Sequence, residues 1–115
     1  MSIYPYFRVP DGKMDEFKDF CEKFISMTAE EPKYLCYGFS FHGDTMRCRE
    51  AYEDADGLLA HLANVGALLN EVLKIAHLTR LEVHGMAEEL AKLTEPLSAL
   101  APTYFTLEYG IRRPS

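Results

Sequence analysis

Hydrophobic and polar residues change period several times along the chain, and each change marks a predicted element. Ile3–Val9 is aromatic-rich and reads as a first strand, with Pro5 suited to an edge or a strand beginning because it lacks an N–H. Pro10-Asp11-Gly12 breaks it, and Asp11 is a candidate helix cap. From Lys13 to about Thr28, Met14, Phe17, Phe20, Cys21, Phe24 and Ile25 recur at helical spacing, with acidic residues opposite. Glu30-Glu31-Pro32 ends that helix, since the residue before proline avoids the α region. Tyr34–His42 alternates, with Leu35, Tyr37, Phe39 and Phe41 on one face. Gly43-Asp44 is a hairpin signal. Thr45–Glu53 is the antiparallel partner, with Met46, Cys48, Glu50 and Tyr52 sharing a face.

Asp54 can cap the next helix, whose stripe is Leu58, Leu62, Val65, Leu69, Val72 and Leu73, with His61 beside it and Gly66 as a possible bend. His77–Gly85 alternates again, placing Leu78, Arg80, Glu82 and His84 on one face and Thr79, Leu81 and Val83 on the other. Met86, Leu90, Leu93, Leu97 and Leu100 form a third, shorter helical stripe that Pro96 divides or kinks. Tyr104–Tyr109 is a last strand before a short polar tail. The first six elements spell β-α-β-β-α-β, so the predicted class is α+β: a ferredoxin-like antiparallel sheet with helices on one face. The other face keeps aromatics and histidines and would be bare. A second copy packed against it, giving a dimeric α+β barrel, is the expected solution.

At 115 residues the chain, 1–115, is expected to be a single domain. A net charge of −6 with scattered Lys and Arg argues against nucleic acid and against an anionic membrane surface. Three widely spaced cysteines without a C-x-x-C read as buried thiols of a cytoplasmic protein. The N-terminal residues do not resemble a signal peptide, and no apolar run approaches a transmembrane length. The four histidines, His42, His61, His77 and His84, lack metal-pair spacing, and no dinucleotide or phosphate loop occurs, so no metal or cofactor is predicted.

Glu31-Pro32 before the strand Tyr34–Phe41, then Glu50-x-Tyr52-x-Asp54, then His61 within Leu59-Ala60-His61-Leu62, resembles the antibiotic biosynthesis monooxygenase-like family, which includes small quinol monooxygenases. The similarity covers about Ile3 to Val83. It implies dimeric α+β barrels, some of which oxidise phenols or hydroquinones with O2 and without metal or flavin. Others degrade haem, and many have no established activity. Lys33 stands where a Gly commonly follows the Glu-Pro, and the absence of Trp disfavours the haem-degrading branch. The segment from Met86 onward exceeds the minimal module and could cover a mouth of the pocket or cross to a neighbour.

Cofactor-free oxidation needs a dry pocket, a base for the phenol and donors for the resulting anion. His61 could be that base, or a hydrogen-bonded core histidine. Glu50 could orient His61 or pair with a cation such as Arg80. Tyr52 could donate to a substrate oxygen or serve as a core aromatic. The expectation is a cofactor-independent monooxygenase for a quinol-like or phenolic small molecule, with His61, Tyr52 and Glu50 at its centre. The alternative is a non-catalytic dimeric protein that binds a small hydrophobic ligand, or a haem-binding relative.

Overall fold

The computed structural model describes residues 1–113. The last two residues of the predicted polar tail lie outside the described residues. Nine elements follow in order: β1 (Ser2–Arg8), α1 (Met14–Thr28), β2 (Tyr34–His42), β3 (Thr45–Tyr52), α2 (Ala55–Val72), β4 (His77–Gly85), α3 (Ala87–Ala91), a 3-10 turn (Ser98–Leu100) and β5 (Thr103–Thr106). The strands form one sheet ordered β2-β3-β1-β4-β5. Its first four members pair antiparallel, as the ferredoxin-like unit requires.

The final strand departs from that pattern. β5 pairs parallel with β4 within the same chain, through Glu82↔Thr103 to Gly85↔Thr106. It is shorter than the predicted Tyr104–Tyr109. The leucine stripe before it is also divided, because Pro96 cannot continue a helix. Leu90, Leu93 and Leu97 nevertheless bury their side chains.

Two local expectations are corrected. Asp11 does not cap α1; Lys13 occupies the cap position without a side-chain bond, and Asp11 sits in a turn with Gly12 at φ +82°. In β4 the register slips opposite Tyr6 and Phe7, so that Tyr6 faces Arg80 and Phe7 faces Leu78. Thr79 is the extra residue of this bulge, and its hydroxyl donates to the Tyr6 carbonyl at 3.2 Å. An added residue reverses the side-chain alternation, so Leu78 packs toward the core instead of sharing the face of Arg80, Glu82 and His84.

Two apolar clusters fill the space between sheet and helices. Phe7, Phe17, Phe24, Met46, Cys48, Val65 and Val72 belong to the first. Ile3, Tyr52, Leu58, Leu81, Val83, Leu93 and Leu97 belong to the second. β3 crosses from one to the other between Cys48 and Tyr52, and α2 crosses between Leu58 and Val65. Glu50 and His61 are the residues at those two crossings, so the buried polar groups sit at the seam of the core.

Among the described residues no helix is long and apolar enough to cross a membrane. His84 stacks on Phe105 at 4.6 Å and meets Tyr4 edge-on at 5.3 Å on the outer face of the sheet. Arg47 lies over the rings of Tyr4 and Tyr6 there, at 4.5 and 5.7 Å.

Candidate active site

The site is built where β3 ends and α2 begins. Asp54 is extended and accepts from the Gly57 N–H at 2.8 Å, which caps α2 as its sequence position predicts. Capping at that point fixes the helical phase. Leu58, His61 and Val65 then fall at i, i+3 and i+7 and point at the sheet. Alternation along β3 turns Met46, Cys48, Glu50 and Tyr52 toward the same interior, and all four are buried.

Glu50 and His61 are 5% and 3% exposed. The His61 Nε2 lies 3.4 Å from Glu50 Oε1. The Tyr52 hydroxyl donates to the same oxygen at 2.6 Å. Of the alternatives open for Glu50, the structure therefore pairs it with His61. Arg80 pairs instead with Glu82, at 2.6 Å.

The other nitrogen of His61 has a partner the sequence reading did not assign. Nδ1 lies 3.1 and 2.9 Å from the two carboxyl oxygens of Glu31, whose side chain is 8% exposed. Glu31 is held in turn by Asn64, whose Nδ2 donates to Glu31 Oε2 at 2.8 Å and to the Met27 carbonyl at 3.1 Å. A carboxylate only accepts, so Nδ1 carries a proton and donates it. Nε2 is left to exchange a proton with Glu50. The chain Asn64–Glu31–His61–Glu50–Tyr52 is continuous.

Burial, the larger cause, raises the Glu50 carboxyl above its ordinary 4.5, and the adjacent His61 and the Tyr52 hydrogen bond oppose the shift without cancelling it. Burial and the Glu50 charge push the Tyr52 and Tyr37 phenols well up, so both are neutral donors at working pH. Burial also raises the Cys21 thiol to about 12 and Cys48 higher still, which leaves neither a thiolate nucleophile.

Glu50 and His61 face a cavity of about 70 Å3 between the sheet and the helices. The rest of its wall is almost wholly hydrocarbon: Ile3, Phe7, Phe24, Phe39, Met46, Val65 and Leu97 among others. Leu97 and Leu100 bring the segment after β4 to the pocket, so it covers one side of the site. Phe39 and Met46 line it without filling it, and Leu58 lies outside its wall. Tyr52 does not reach it; that side chain is fully buried behind Glu50. Tyr37 does reach it, opposite Glu50 in the β2–β3 register. The ring of His61 lies between the two tyrosines, 5.2 Å from each.

Three side chains of the candidate site, Glu31, Asn64 and Tyr37, are not singled out by the sequence pattern. Glu31 was legible only as a helix terminator before Pro32. Asn64 lies three residues after His61, a spacing that puts both on one side of α2. Tyr37 follows from counting back from the Gly43-Asp44 turn, which sets it across from Glu50. No group of three or more His, Cys, Asp or Glu suited to a metal ion occurs among the described residues.

No protein-family model matches the sequence, and no curated protein does. Solved structures do. SnoaB, a cofactor-independent oxygenase from Streptomyces nogalater, superposes with a TM-score of 0.59 at 15% identity, over 66% of this chain and 82% of that one. An antibiotic biosynthesis monooxygenase superposes with a TM-score of 0.59 at 16% identity, over 67% and 87%. These two share the fold. MupZ from Pseudomonas fluorescens is nearer, with a TM-score of 0.94 at 46% identity over 98% of this chain and 93% of its own. The chain belongs to one family with MupZ, and it carries the ferredoxin-like fold of the antibiotic biosynthesis monooxygenases.

Proposed function

We infer that this protein is an enzyme that moves a proton on a small, largely apolar molecule held between the sheet and the helices. One observation carries the reading: a carboxyl whose burial favours its neutral form faces a histidine that is backed by a second carboxylate, and both line a hydrocarbon-walled cavity. A carboxyl that holds its proton beside an imidazole whose other nitrogen is already bonded can supply an acid and a base. His61 is the base, its tautomer and ring orientation set by the Glu31 carboxyl at Nδ1. Glu50 is the acid, able to give a proton or a hydrogen bond to an oxygen that gains negative charge. Tyr52 orients Glu50 and does not touch the bound molecule.

The first reaction class is the one that SnoaB's description names, oxygenation without a cofactor. His61 would take the proton of a hydroquinone or phenol, the electron-rich anion would reduce O2, and the apolar wall would keep water from the intermediate. A cavity of about 70 Å3 is well below the roughly 300–1,000 Å3 of ordinary ligand pockets, so a single-ring or slender molecule is favoured. A polycyclic substrate requires the helical layer to move off the sheet.

The raised Glu50 carboxyl beside His61 favours a second reading, an acid–base conversion with no net oxidation. Here the same pair protonates one atom and deprotonates another, and O2 takes no part. Oxygen uptake by metal-free protein with a panel of reduced quinones separates the two. Uptake above autoxidation that is lost in folded His61→Ala supports oxygenation. Substrate conversion without uptake supports the acid–base reading. Neither, with ligand still bound, returns the chain to a binding role.

We further infer a homodimer joined through the outer sheet face, where Tyr4, Tyr6, Arg47, His84 and Phe105 present an aromatic and cationic surface. Phe105 remains 39% exposed in the single chain.

A further inference from the structure

We propose that Tyr37, and not Tyr52, is the tyrosine that hydrogen-bonds the bound molecule, donating its phenol hydrogen to a hydroxyl, carbonyl or ether oxygen placed beside Glu50 and His61. The inference rests on the reading of Glu50 and His61 as the reacting pair, and adds the group that selects which part of a molecule meets them.

Two tyrosines flank His61 at equal ring distance, but only one has a free role. The Tyr52 hydroxyl is committed to Glu50 Oε1 at 2.6 Å, and its side chain is closed off from the cavity. Tyr37 lines the cavity, and strand pairing sets it directly across from Glu50, in a row that continues to Ile3 on β1. Residues paired in this way stand about 5 Å apart at Cβ, so the phenol and the carboxyl reach the same volume.

The neighbours of the Tyr37 hydroxyl are poor partners. They are the Cys48 thiol and the Thr28 hydroxyl, and Thr28 Oγ1 is buried with no hydrogen-bond partner among the described residues. A thiol is a weak acceptor, and an orphaned buried hydroxyl is costly and needs an explanation. An oxygen of the bound molecule gives the Tyr37 hydrogen a stronger acceptor than the thiol, while the lone pairs of the phenol oxygen stay open to the Thr28 hydroxyl. The remaining wall offers hydrocarbon, so the class that fits is a small molecule with one oxygen function next to an apolar body. Burial keeps the phenol protonated, so Tyr37 acts as a donor and not as a base.

Phenol and toluene, nearly equal in shape, serve as probes in calorimetric titrations of the chain and its variants. The expected result is that Tyr37→Phe weakens phenol about fivefold, the equivalent of about 1 kcal/mol for one neutral hydrogen bond, and leaves toluene unchanged. Equal phenol affinity in Tyr37→Phe and the unaltered chain overturns the inference. If Glu50→Gln still changes phenol binding in that case, the reading of the reacting pair survives. Failure of the unaltered chain to bind either probe overturns both. Should Tyr37→Phe not fold, tyrosine labelled with 13C at Cζ answers in the unaltered chain. One tyrosine carbon must shift with phenol and not with toluene, and that signal must persist in Tyr52→Phe. Its absence from the unaltered chain, or its loss with Tyr52, overturns the assignment to Tyr37.

Discussion

A carboxyl that burial raises above its ordinary range ties the stability of the fold to pH. The Glu50 carboxyl in the folded chain titrates above its ordinary 4.5, so between the two values the folded state binds more protons than the unfolded one. Stability therefore falls as pH rises from about 4.5 through the folded value. Glu50→Gln keeps an acceptor for Tyr52 and removes that dependence. We predict that the variant melts higher than the parent at neutral pH, with the difference vanishing near pH 4, and that catalysis falls by about 10²–10⁴. Thermal melts across pH check the first outcome and turnover the second. Glu31→Ala leaves the buried His61 N–H without an acceptor and should cost about 2 kcal/mol by denaturant unfolding. Much of this was readable in advance. Glu50, Tyr52 and His61 stand out in the sequence because strand alternation and helical spacing aim them at one interior. Glu31 does not, because it lies in a loop, where no period reports direction. Its role depends on how α1 ends against α2, a tertiary fact.

Helix α2 carries two glycines with opposite prospects. A Cβ at Gly66 would meet nothing within 4 Å, so Gly66→Ala should stabilise by about 1 kcal/mol through helix propensity alone. The helix runs through Gly66 without interruption. At Gly57 an added Cβ would lie 3.0 Å from the Lys33 Cβ and 3.3 Å from that of Tyr52. Gly57→Ala should therefore yield no gain, because it presses on the strand end that carries the site. Melting both variants beside the parent decides this. Element positions were legible because apolar periods are long and caps such as Asp54 are local. The β4 bulge was not legible, since an extra residue in a strand depends on its partner. Its effect is concrete: Leu78 changes faces and joins the wall of the cavity. Likewise β5 shows its strand character in sequence, whereas its parallel pairing with β4 depends on the route that Pro96 and the 3-10 turn give the chain.

For the whole molecule, the sheet covers one face with helices and leaves the other to solvent. The charge of −6 is spread over the chain, yet Arg47 and Arg49 both stand on the outer face of β3. A second copy would bury Tyr4, Tyr6 and Phe105 and place those arginines against aromatic rings. Light scattering after gel filtration should give twice the mass of one chain. Tyr6→Glu with Phe105→Glu should shift it toward one copy by setting like charges across the contact, and should leave the Glu50–His61 pair on the opposite face intact.

The central claim is that burial makes the Glu50 carboxyl hold its proton more tightly than an ordinary glutamate, so that it is an acid at the cavity wall and not one half of a fixed ion pair. A titration of 13C-carboxyl-labelled glutamate, with Glu50→Gln to assign the signal, tests it most directly. A midpoint above 4.5 is the predicted result. A midpoint at or below 4.5 would make Glu50 a permanent carboxylate holding His61 in place, and would remove the acid from the site.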